Sequence, residues 1–193
     1  KDFFGSSVKV AKLEDLAVVG LDPRYVNWNL STKFNAGNAR IKGAEFNVRQ
    51  ALRNLGAWGA YFTVFANATK LQLEGPSQAD FTSFIPKSAN WGVSFSRKQI
   101  TVIAKWNYRG LNRLGAQPAY GPDAFQYYAA RTQLDLNGAY QINKHISLNM
   151  SVSNALNVPQ TLLRYGPVTP EYARQLRESE FGIALAVGLK GSF

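Results

Sequence analysis

Apolar and polar residues alternate with a period of two along most of this chain. In the last thirteen residues, Phe181 to Phe193, the odd positions are mostly large and apolar, whereas the even positions are small or polar. Successive side chains of a β-strand point to opposite faces of a sheet. The segment therefore predicts a strand with one apolar and one polar face. It is long enough to cross a bilayer, which takes about 9 to 11 residues in a tilted strand.

The same period recurs upstream, most cleanly where Leu134, Leu136 and Tyr140 alternate with polar neighbours. One such segment alone would also fit the edge strand of a soluble sandwich, but a series of them favours a larger sheet. We count roughly seven strands. They are predicted at residues 39–52, 58–73, 89–96, 100–109, 133–143, 146–157 and 181–193.

The connections between these strands alternate between short and long. Residues 52–58, 97–99 and 143–145 are short, whereas 74–87, 110–130 and 158–180 are long and rich in Pro, Gly and Tyr. Bacterial outer-membrane barrels have short periplasmic turns and longer extracellular loops. If the C-terminus lies in the periplasm, every short turn falls on that side and every long loop on the other. The chain is therefore predicted to be all-β, an antiparallel transmembrane barrel in the bacterial outer membrane with its C-terminus in the periplasm.

Aromatic residues lie near the predicted strand ends, at Trp58, Trp91, Trp106, Tyr108 and Tyr140. Amphipathic rings collect at the two interfaces of a membrane barrel, although the same positions are common in soluble cores. We interpret them as interfacial girdles.

Composition narrows the function classes. No apolar run of about 20 residues is present, so no transmembrane helix is predicted. The formal charge of +10 comes from lysines and arginines spread over turns, loops and strand ends, whereas a nucleic-acid module would cluster them on one face with stacking aromatics. With no cysteine and a single histidine, His145, in a tight turn beside Lys144, we predict no enzyme, no metal site, no cofactor and no nucleic-acid partner.

Seven strands do not close a bacterial barrel, which uses an even number of at least about eight. We therefore expect residues 1–193 to be the C-terminal portion of a single, larger barrel domain. Residues 1–38 are expected to be mostly extracellular loop, leading into the first strand near Trp28 to Ala39.

Two motifs and the final aromatic resemble the TonB-dependent outer-membrane receptors. The stretch from Asn35 to Phe46, NAGNARIKGAEF, resembles the family segment in which an Asn-Gly pair leads into a Gly-x-Glu strand. The stretch Ser153 to Asn157, SNALN, resembles the motif that ends the penultimate strand of the family, although the family commonly has aromatic residues where Ala155 and Leu156 stand. The terminal Phe193 is similar to the signal that the barrel assembly machinery recognises.

This resemblance implies a barrel commonly of twenty-two strands, closed by an N-terminal plug domain that is absent from this sequence. It also implies energy-coupled uptake of a scarce ligand of the siderophore, cobalamin, haem or glycan class, through TonB acting on the N-terminal region. A passive channel, an autotransporter-type barrel and a structural barrel subunit of an envelope assembly stay as alternatives. Besides TonB and the assembly machinery, the implied partners are outer-membrane lipid, lipopolysaccharide and a small-molecule ligand of unknown identity.

Three groups of candidate residues follow. Aromatic and guanidinium side chains in the long loops suit anionic or aromatic ligands, with packing between loops or lipopolysaccharide binding as the plainer alternative. These ligand-binding candidates are Tyr120, Phe125, Tyr127, Tyr128, Arg131, Arg164, Tyr165, Tyr172, Arg174 and Arg177. The assembly signal is predicted at Phe181, Ile183, Leu185, Val187, Leu189 and Phe193. The residues carrying the family resemblance are Asn35, Gly37, Gly43, Glu45, Asn154 and Asn157.

A further set of polar side chains is predicted to face the barrel lumen, where they would contact a plug or line a path. These residues are Thr101, Lys105, Arg109, Gln133, Asp135, Asn137, Asn149 and Ser151.

Overall fold

A computed structural model describes residues 2–75, 84–121 and 123–191. These residues form thirteen strands, one α-helix and a few short 3₁₀ turns. The strands are β1 (Asp2–Val10), β2 (Asn29–Asn38), β3 (Arg40–Ala51), β4 (Phe62–Glu74), β5 (Lys87–Arg97), β6 (Ile100–Arg109), β7 (Asn112–Ala116), β8 (Phe125–Tyr128), β9 (Arg131–Gln141), β10 (Ile146–Ser153), β11 (Gln160–Tyr165), β12 (Gln175–Ser179) and β13 (Ala184–Gly191). The helix is α1 (Leu13–Val19).

Seven of the strands form one large sheet in the order β13-β10-β9-β6-β5-β4-β3. Every neighbouring pair is antiparallel. The seven strands fall on the seven predicted segments, so the prediction of an antiparallel all-β sheet is confirmed. Within the described residues the sheet is open, with β3 and β13 as its edges.

The register places apolar side chains of all seven strands on one face. Across the middle of the sheet, Val187 pairs with Met150 and Met150 with Gly138, while Val93 lies between Val64 and Ala104. None of these apolar side chains is buried; Val187 is 63% and Met150 is 47% accessible, while Val93 and Ala104 are half-buried. The opposite face carries mainly Asn, Gln, Ser, Thr and charged side chains, with Phe65 and Ile103 among them. The sheet thus has one mainly apolar and one mainly polar face across its seven strands.

The large sheet contributes nothing to a buried hydrophobic core among the described residues. The buried apolar side chains lie elsewhere: Ala11 and Leu16 next to and within α1, and Ala124 and Leu162 in and near the strands of the long connections. A soluble sheet of this size buries one face against another layer. This sheet leaves its apolar face uncovered.

The two ends of the sheet differ in their connections. At the short-turn end, β5 joins β6 through Lys98 and Gln99, and β9 joins β10 through residues 142–145. The third connection there is longer than predicted, because β4 begins at Phe62 and Trp58 precedes a 3₁₀ turn, Gly59–Tyr61. We call the other end, where the chain makes its long excursions, the long-connection end.

Residues 2–38 contain more regular structure than the sequence pattern indicates. β1 and β2 form an antiparallel ladder of their own, with α1 and a 3₁₀ turn between them. The sequence predicts mostly loop here, with entry to a strand only near Trp28 to Ala39, because the alternation of β1 is weak. No described helix is long and apolar enough to cross a membrane.

The long connections also differ from the loops that the sequence predicts. β7 and β8 come from the connection between β6 and β9, and β11 and β12 from the connection between β10 and β13. These strands pair in the order β12-β11-β8-β7. We call this four-stranded unit the loop sheet. β8 and β11 are the strands that join the two connections to each other.

Candidate functional site

A recess of about 430 Å³ lies on the polar face, at the long-connection end of the large sheet. β5, β6 and β9 supply most of its walls, and their pairing brings hydroxyl, amide and guanidinium groups together. The lining residues are Ile85, Ser88, Asn90, Asn107, Tyr108, Arg109, Arg131 and Gln133.

Two arginines face each other at the top of this recess. Arg109 ends β6 and Arg131 begins β9, and the register makes them direct cross-strand partners. Like charges directly opposite each other on a sheet destabilise it. Within the described residues neither arginine forms an ion pair. The pair therefore leaves an uncompensated positive charge beside the recess, and guanidinium groups bind carboxylate and phosphate in a bidentate manner.

The nearest acid on β9, Asp135, already has hydrogen-bond partners. The Asp135 carboxylate accepts a hydrogen bond of 2.6 Å from the Asn107 amide and one of 3.1 Å from the backbone N–H of Asn154. Its direct cross-strand partner on β6 is Lys105. One face of the sheet thus carries a balanced row, Lys105 with Asp135, two rows below the unbalanced arginine pair.

Aromatic rings stack in the loop sheet. Tyr127 on β8 and Tyr165 on β11 are parallel within 16°, with 4.3 Å between ring centroids. The Arg174 guanidinium lies 5.0 Å from the Tyr165 ring, and Arg113 lies 4.5 Å from the ring of Phe125. Each such cation–π contact contributes about 0.5 to 1 kcal/mol at an exposed site. The stack crosses the join between the two long connections, so it stabilises their association.

Burial raises the pKa of Tyr127 above its ordinary value, and the neighbouring Tyr165 raises it further. The charge of Arg113 opposes this shift and that of Asp123 adds to it. The neutral hydroxyl of Tyr127 is therefore the form that the loop sheet favours.

The structure brings most of the predicted ligand-binding residues into the loop sheet but divides them between its faces. Phe125, Tyr127 and Tyr165 share one face, while Tyr128 and Arg164 lie on the other by register. Arg164 lies 3.6 Å from the centroid of the Tyr120 ring. In this contact, as in that of Arg174 with Tyr165, one predicted ligand-binding residue packs against another.

The remaining candidates are Tyr172, Arg177 and Arg131, and within the described residues they make none of these ring contacts. Tyr172, in a 3₁₀ turn, is 90% exposed, and Arg177 is exposed on β12. Arg131 belongs to the wall of the large sheet rather than to a loop. The sequence placed Arg109 among lumen-facing residues and Arg131 among loop residues. Only the register shows that they are neighbours, because β6 and β9 are separated along the chain by the β7–β8 excursion.

The residues that carry the family resemblance have local structural roles. Asn35 accepts a hydrogen bond of 2.9 Å from the backbone N–H of Gly37, whose φ is +101°. The β1–β2 register skips one residue at this point, so the pair forms a β-bulge. On β3, Glu45 accepts a hydrogen bond of 3.0 Å from the Asn67 amide. A side chain at Gly43 would come within 2.9 Å of the Lys70 carbonyl oxygen.

Asn154 connects three parts of the chain after β10. Its side chain accepts a hydrogen bond of 2.9 Å from the Val158 N–H and donates to the carbonyl oxygens of Val158 and Gly182. It is 7% exposed and has a φ of +55°. Asn157 also has a positive φ, +49°. The motif thus ends β10 four residues earlier than predicted and fixes the start of β11 against the lead to β13.

The predicted assembly signal divides at the start of β13. Leu185, Val187 and Leu189 lie on the apolar face of β13, whereas Phe181 and Ile183 precede the strand and are exposed. Phe193 lies outside the described residues.

Among the described residues, no three or more His, Cys, Asp or Glu side chains are grouped as a metal ion would need.

Sequence reasoning missed Arg113, which contacts the Phe125 ring, because the pattern predicts a loop over residues 110–130 and does not indicate what this side chain contacts. The run Phe125, Tyr127 and Tyr128 has the aromatic content of a strand and is the signal that could have identified β8.

Comparison with known proteins identifies the family. The model of the TonB dependent receptor-like β-barrel matches residues 11–155 of this chain, which is well over half of it. No curated protein matches. Among solved structures, "Copper transporter OprC" superimposes with a TM-score of 0.63 at 16% sequence identity, over 100% of this chain and 26% of that one. The chain thus spans about a quarter of that structure, and the likeness is one of fold. The chain belongs to the TonB-dependent receptor-like β-barrel family.

Proposed function

We propose that this chain forms part of the barrel wall of an outer-membrane receptor that takes up a scarce ligand with energy supplied through TonB. The observation that carries the proposal is the large sheet: it has an apolar face suited to lipid and a polar face suited to a lumen, and none of its described apolar side chains belongs to a buried core. In this arrangement the short-turn end lies in the periplasm and the loop sheet outside the cell. The lipid, lipopolysaccharide and assembly partners follow from the same arrangement.

The polar recess supports a choice among the ligand classes that the family resemblance implies. Arg109 and Arg131 are cross-strand partners without an acid among the described residues, and amide and hydroxyl groups surround them. Such a recess attracts an anion such as a carboxylate-bearing ferric siderophore or haem more than neutral cobalamin or a glycan. The aromatic and guanidinium groups of the loop sheet suit the same ligands.

Binding to the purified full-length receptor tests the proposal. We would measure tryptophan fluorescence while adding a ferric tricarboxylate siderophore, haem, cobalamin or a malto-oligosaccharide. We expect one of the two anionic ligands to bind, and the double variant Arg109→Gln/Arg131→Gln to weaken it at least tenfold. Arg49→Gln is the matched control, since Arg49 lies on the same face at the short-turn end.

Uptake by cells separates the alternatives. A receptor accumulates its ligand only when TonB is present, whereas a passive channel accumulates it equally without TonB. Binding of none of the four probes together with TonB-independent permeability would overturn the proposal in favour of a channel. Loss of envelope integrity on deletion, with neither binding nor permeability, would favour a structural subunit.

A further inference from the structure

Positive charge is concentrated at the short-turn end of the large sheet. That end comprises residues 49–64, 95–101, 139–147 and 189–191. These residues include no Asp or Glu, although the chain has 12 such acids. The lysines and arginines there are Arg49, Arg53, Arg97, Lys98, Lys144 and Lys190. Because these cations have no acids among them, an anionic neighbour would stabilise this end of the sheet.

One of these cations belongs to the apolar face. Arg97 ends β5 with the same side-chain direction as Val93 and Phe95, and its cross-strand partner is Ile100. Its guanidinium lies 4.9 Å from the centroid of the Tyr61 ring. Arg97 therefore stands at the lower edge of the surface that we assign to lipid.

Aromatic rings continue from Arg97 along this edge. Tyr61 and Phe62 each contact Phe95 edge-on or tilted, with centroids 6.4 and 5.1 Å apart, and Trp58 packs against Phe62 at 5.9 Å. We call the set of Trp58, Tyr61, Phe62, Phe95 and Arg97 the Arg97 belt. Trp58 is 59% exposed. Aromatic and cationic side chains together are typical of a membrane interface.

Lys98 adds a second cation next to the belt at a conformational cost. It has a φ of +51°, in a turn where glycine would avoid the strain of a left-handed backbone. A lysine at this strained position points to use of its charge. Arg53 and Lys144 lie in the other two connections at the same end and are exposed.

We propose that the Arg97 belt with Lys98 binds the headgroup of an anionic phospholipid of the periplasmic leaflet. The phosphate is held by Arg97 and Lys98, and the acyl chains lie on the apolar face above Phe62 and Phe95. The cations lie at the end of the sheet and the apolar rings lie next to them, as the phosphate and the acyl chains follow each other in a phospholipid. This inference rests on the orientation given by the proposed function.

Lipid retention measured by native mass spectrometry tests the inference. The full-length protein in detergent would be mixed with phosphatidylglycerol or with phosphatidylcholine of the same acyl chains. We expect several-fold more bound phosphatidylglycerol, and loss of that preference in Arg97→Gln/Lys98→Gln. Lys70→Gln/Lys87→Gln is the matched control, because these two exposed lysines are cross-strand partners on the same face at the long-connection end. It should keep the preference.

Equal retention of both lipids, or equal loss in both double variants, would overturn the inference. Lys98→Gly guards against misfolding as an explanation, since glycine relieves the strained turn while removing one charge; it should weaken the preference and leave thermal stability unchanged or higher. A Lys98→Gly protein with an undiminished preference would exclude the role of Lys98 and overturn the inference as stated.

A labelling experiment separates this inference from the proposed function. The described residues contain no free cysteine, so Lys98→Cys gives a label site at the belt. An impermeant maleimide should label it only after the outer membrane is opened. Labelling in intact cells would place the belt outside the cell and overturn the proposal of a lipid of the periplasmic leaflet. Protection of Lys98→Cys in intact cells, together with the phosphatidylglycerol preference of the unsubstituted protein but no uptake of any ligand, would leave this inference standing while the proposed function fails.

Discussion

The large sheet and the loop sheet are built from the same kind of strand but are held in place by different forces. The seven long strands have continuous backbone ladders, one exposed apolar face and no buried core among the described residues. The four short strands of the loop sheet carry stacked rings, cation–π contacts and the buried Leu162. Under the proposed function this difference follows from the surroundings of each sheet. Lipid would stabilise the large sheet from outside, whereas the loop sheet stabilises itself by side-chain packing.

The largest expected effect is on the apolar face of the large sheet. Met150→Arg places a charge where lipid should lie, and we expect it to lower the free energy of unfolding by about 2 to 4 kcal/mol. Ser151→Arg is the control, since Ser151 is adjacent in the chain but pairs with Asn137 on the polar face; it should cost much less. Urea unfolding in lipid vesicles measures both. Equal losses would contradict the assignment of the faces.

The next effect concerns the junction between the two sheets. Asn154→Gly keeps the positive φ but removes three hydrogen bonds of a buried amide. Leaving buried partners unpaired costs about 1 to 3 kcal/mol. Asn157→Gly should be nearly neutral, because the Asn157 side chain makes no hydrogen bond within the described residues. Thermal unfolding and protease sensitivity of residues 158–180 are the measurements, and equal sensitivity of the two variants would count against the junction.

A smaller effect is expected inside the loop sheet. Tyr165→Leu removes the ring stacked on Tyr127 and contacted by Arg174. An aromatic pair contributes about 0.5 to 1.5 kcal/mol beyond its buried area. Hydrogen exchange of the β8 and β11 amides should accelerate, while the large sheet stays protected. Tyr172→Leu, at a 90% exposed position, should change neither, and acceleration in both sheets would mean that they are not independent.

A change of pH should affect the same stack less than Tyr165→Leu does. It ionises one hydroxyl group and leaves both rings in place. The pKa of Tyr127 is raised by burial. A raised pKa in the folded state means that its contribution to stability is complete below the ordinary tyrosine pKa of about 10 and is lost as the pH rises through the higher value. Hydrogen exchange corrected for intrinsic rate should show loosening of β8 only in that alkaline range. Tyr127→Phe should abolish the dependence, and its persistence would assign it to another group.

The smallest expected effect compares two rows of the polar face. Arg109→Gln removes a like-charge pair with Arg131 and should stabilise the protein slightly, whereas Lys105→Gln removes an opposite-charge pair with Asp135 and should destabilise it. Cross-strand charge pairs contribute about 0.2 to 1 kcal/mol. Both effects should shrink in high salt. Urea unfolding at low and high salt gives the signs, and the same sign for both variants would contradict the register.

The sequence determined the large sheet because a period of two leaves little freedom. A shift of one residue in the register of a strand would move all of its apolar side chains to the other face. The alternation around Leu136 and Met150 therefore fixes both the strand and the side that each residue takes. The resemblance to the family rested on short motifs whose backbone conformations are local, such as the bulge at Asn35 and Gly37 and the positive φ of Asn154; the match over residues 11–155 established membership.

Only the tertiary structure decided what the long connections do and where the positive charges meet. The loop sheet depends on pairing between β8 and β11, segments separated along the chain by two strands of the large sheet. Apolar and polar residues alternate over too few positions in β8 and β11 to predict either strand without knowledge of the other. Arg109 and Arg131 become neighbours only through the β6–β9 pairing, and Arg97 meets Tyr61 only because β4 lies beside β5. Local periodicity specifies which way a side chain points, but non-local strand pairing specifies what it meets.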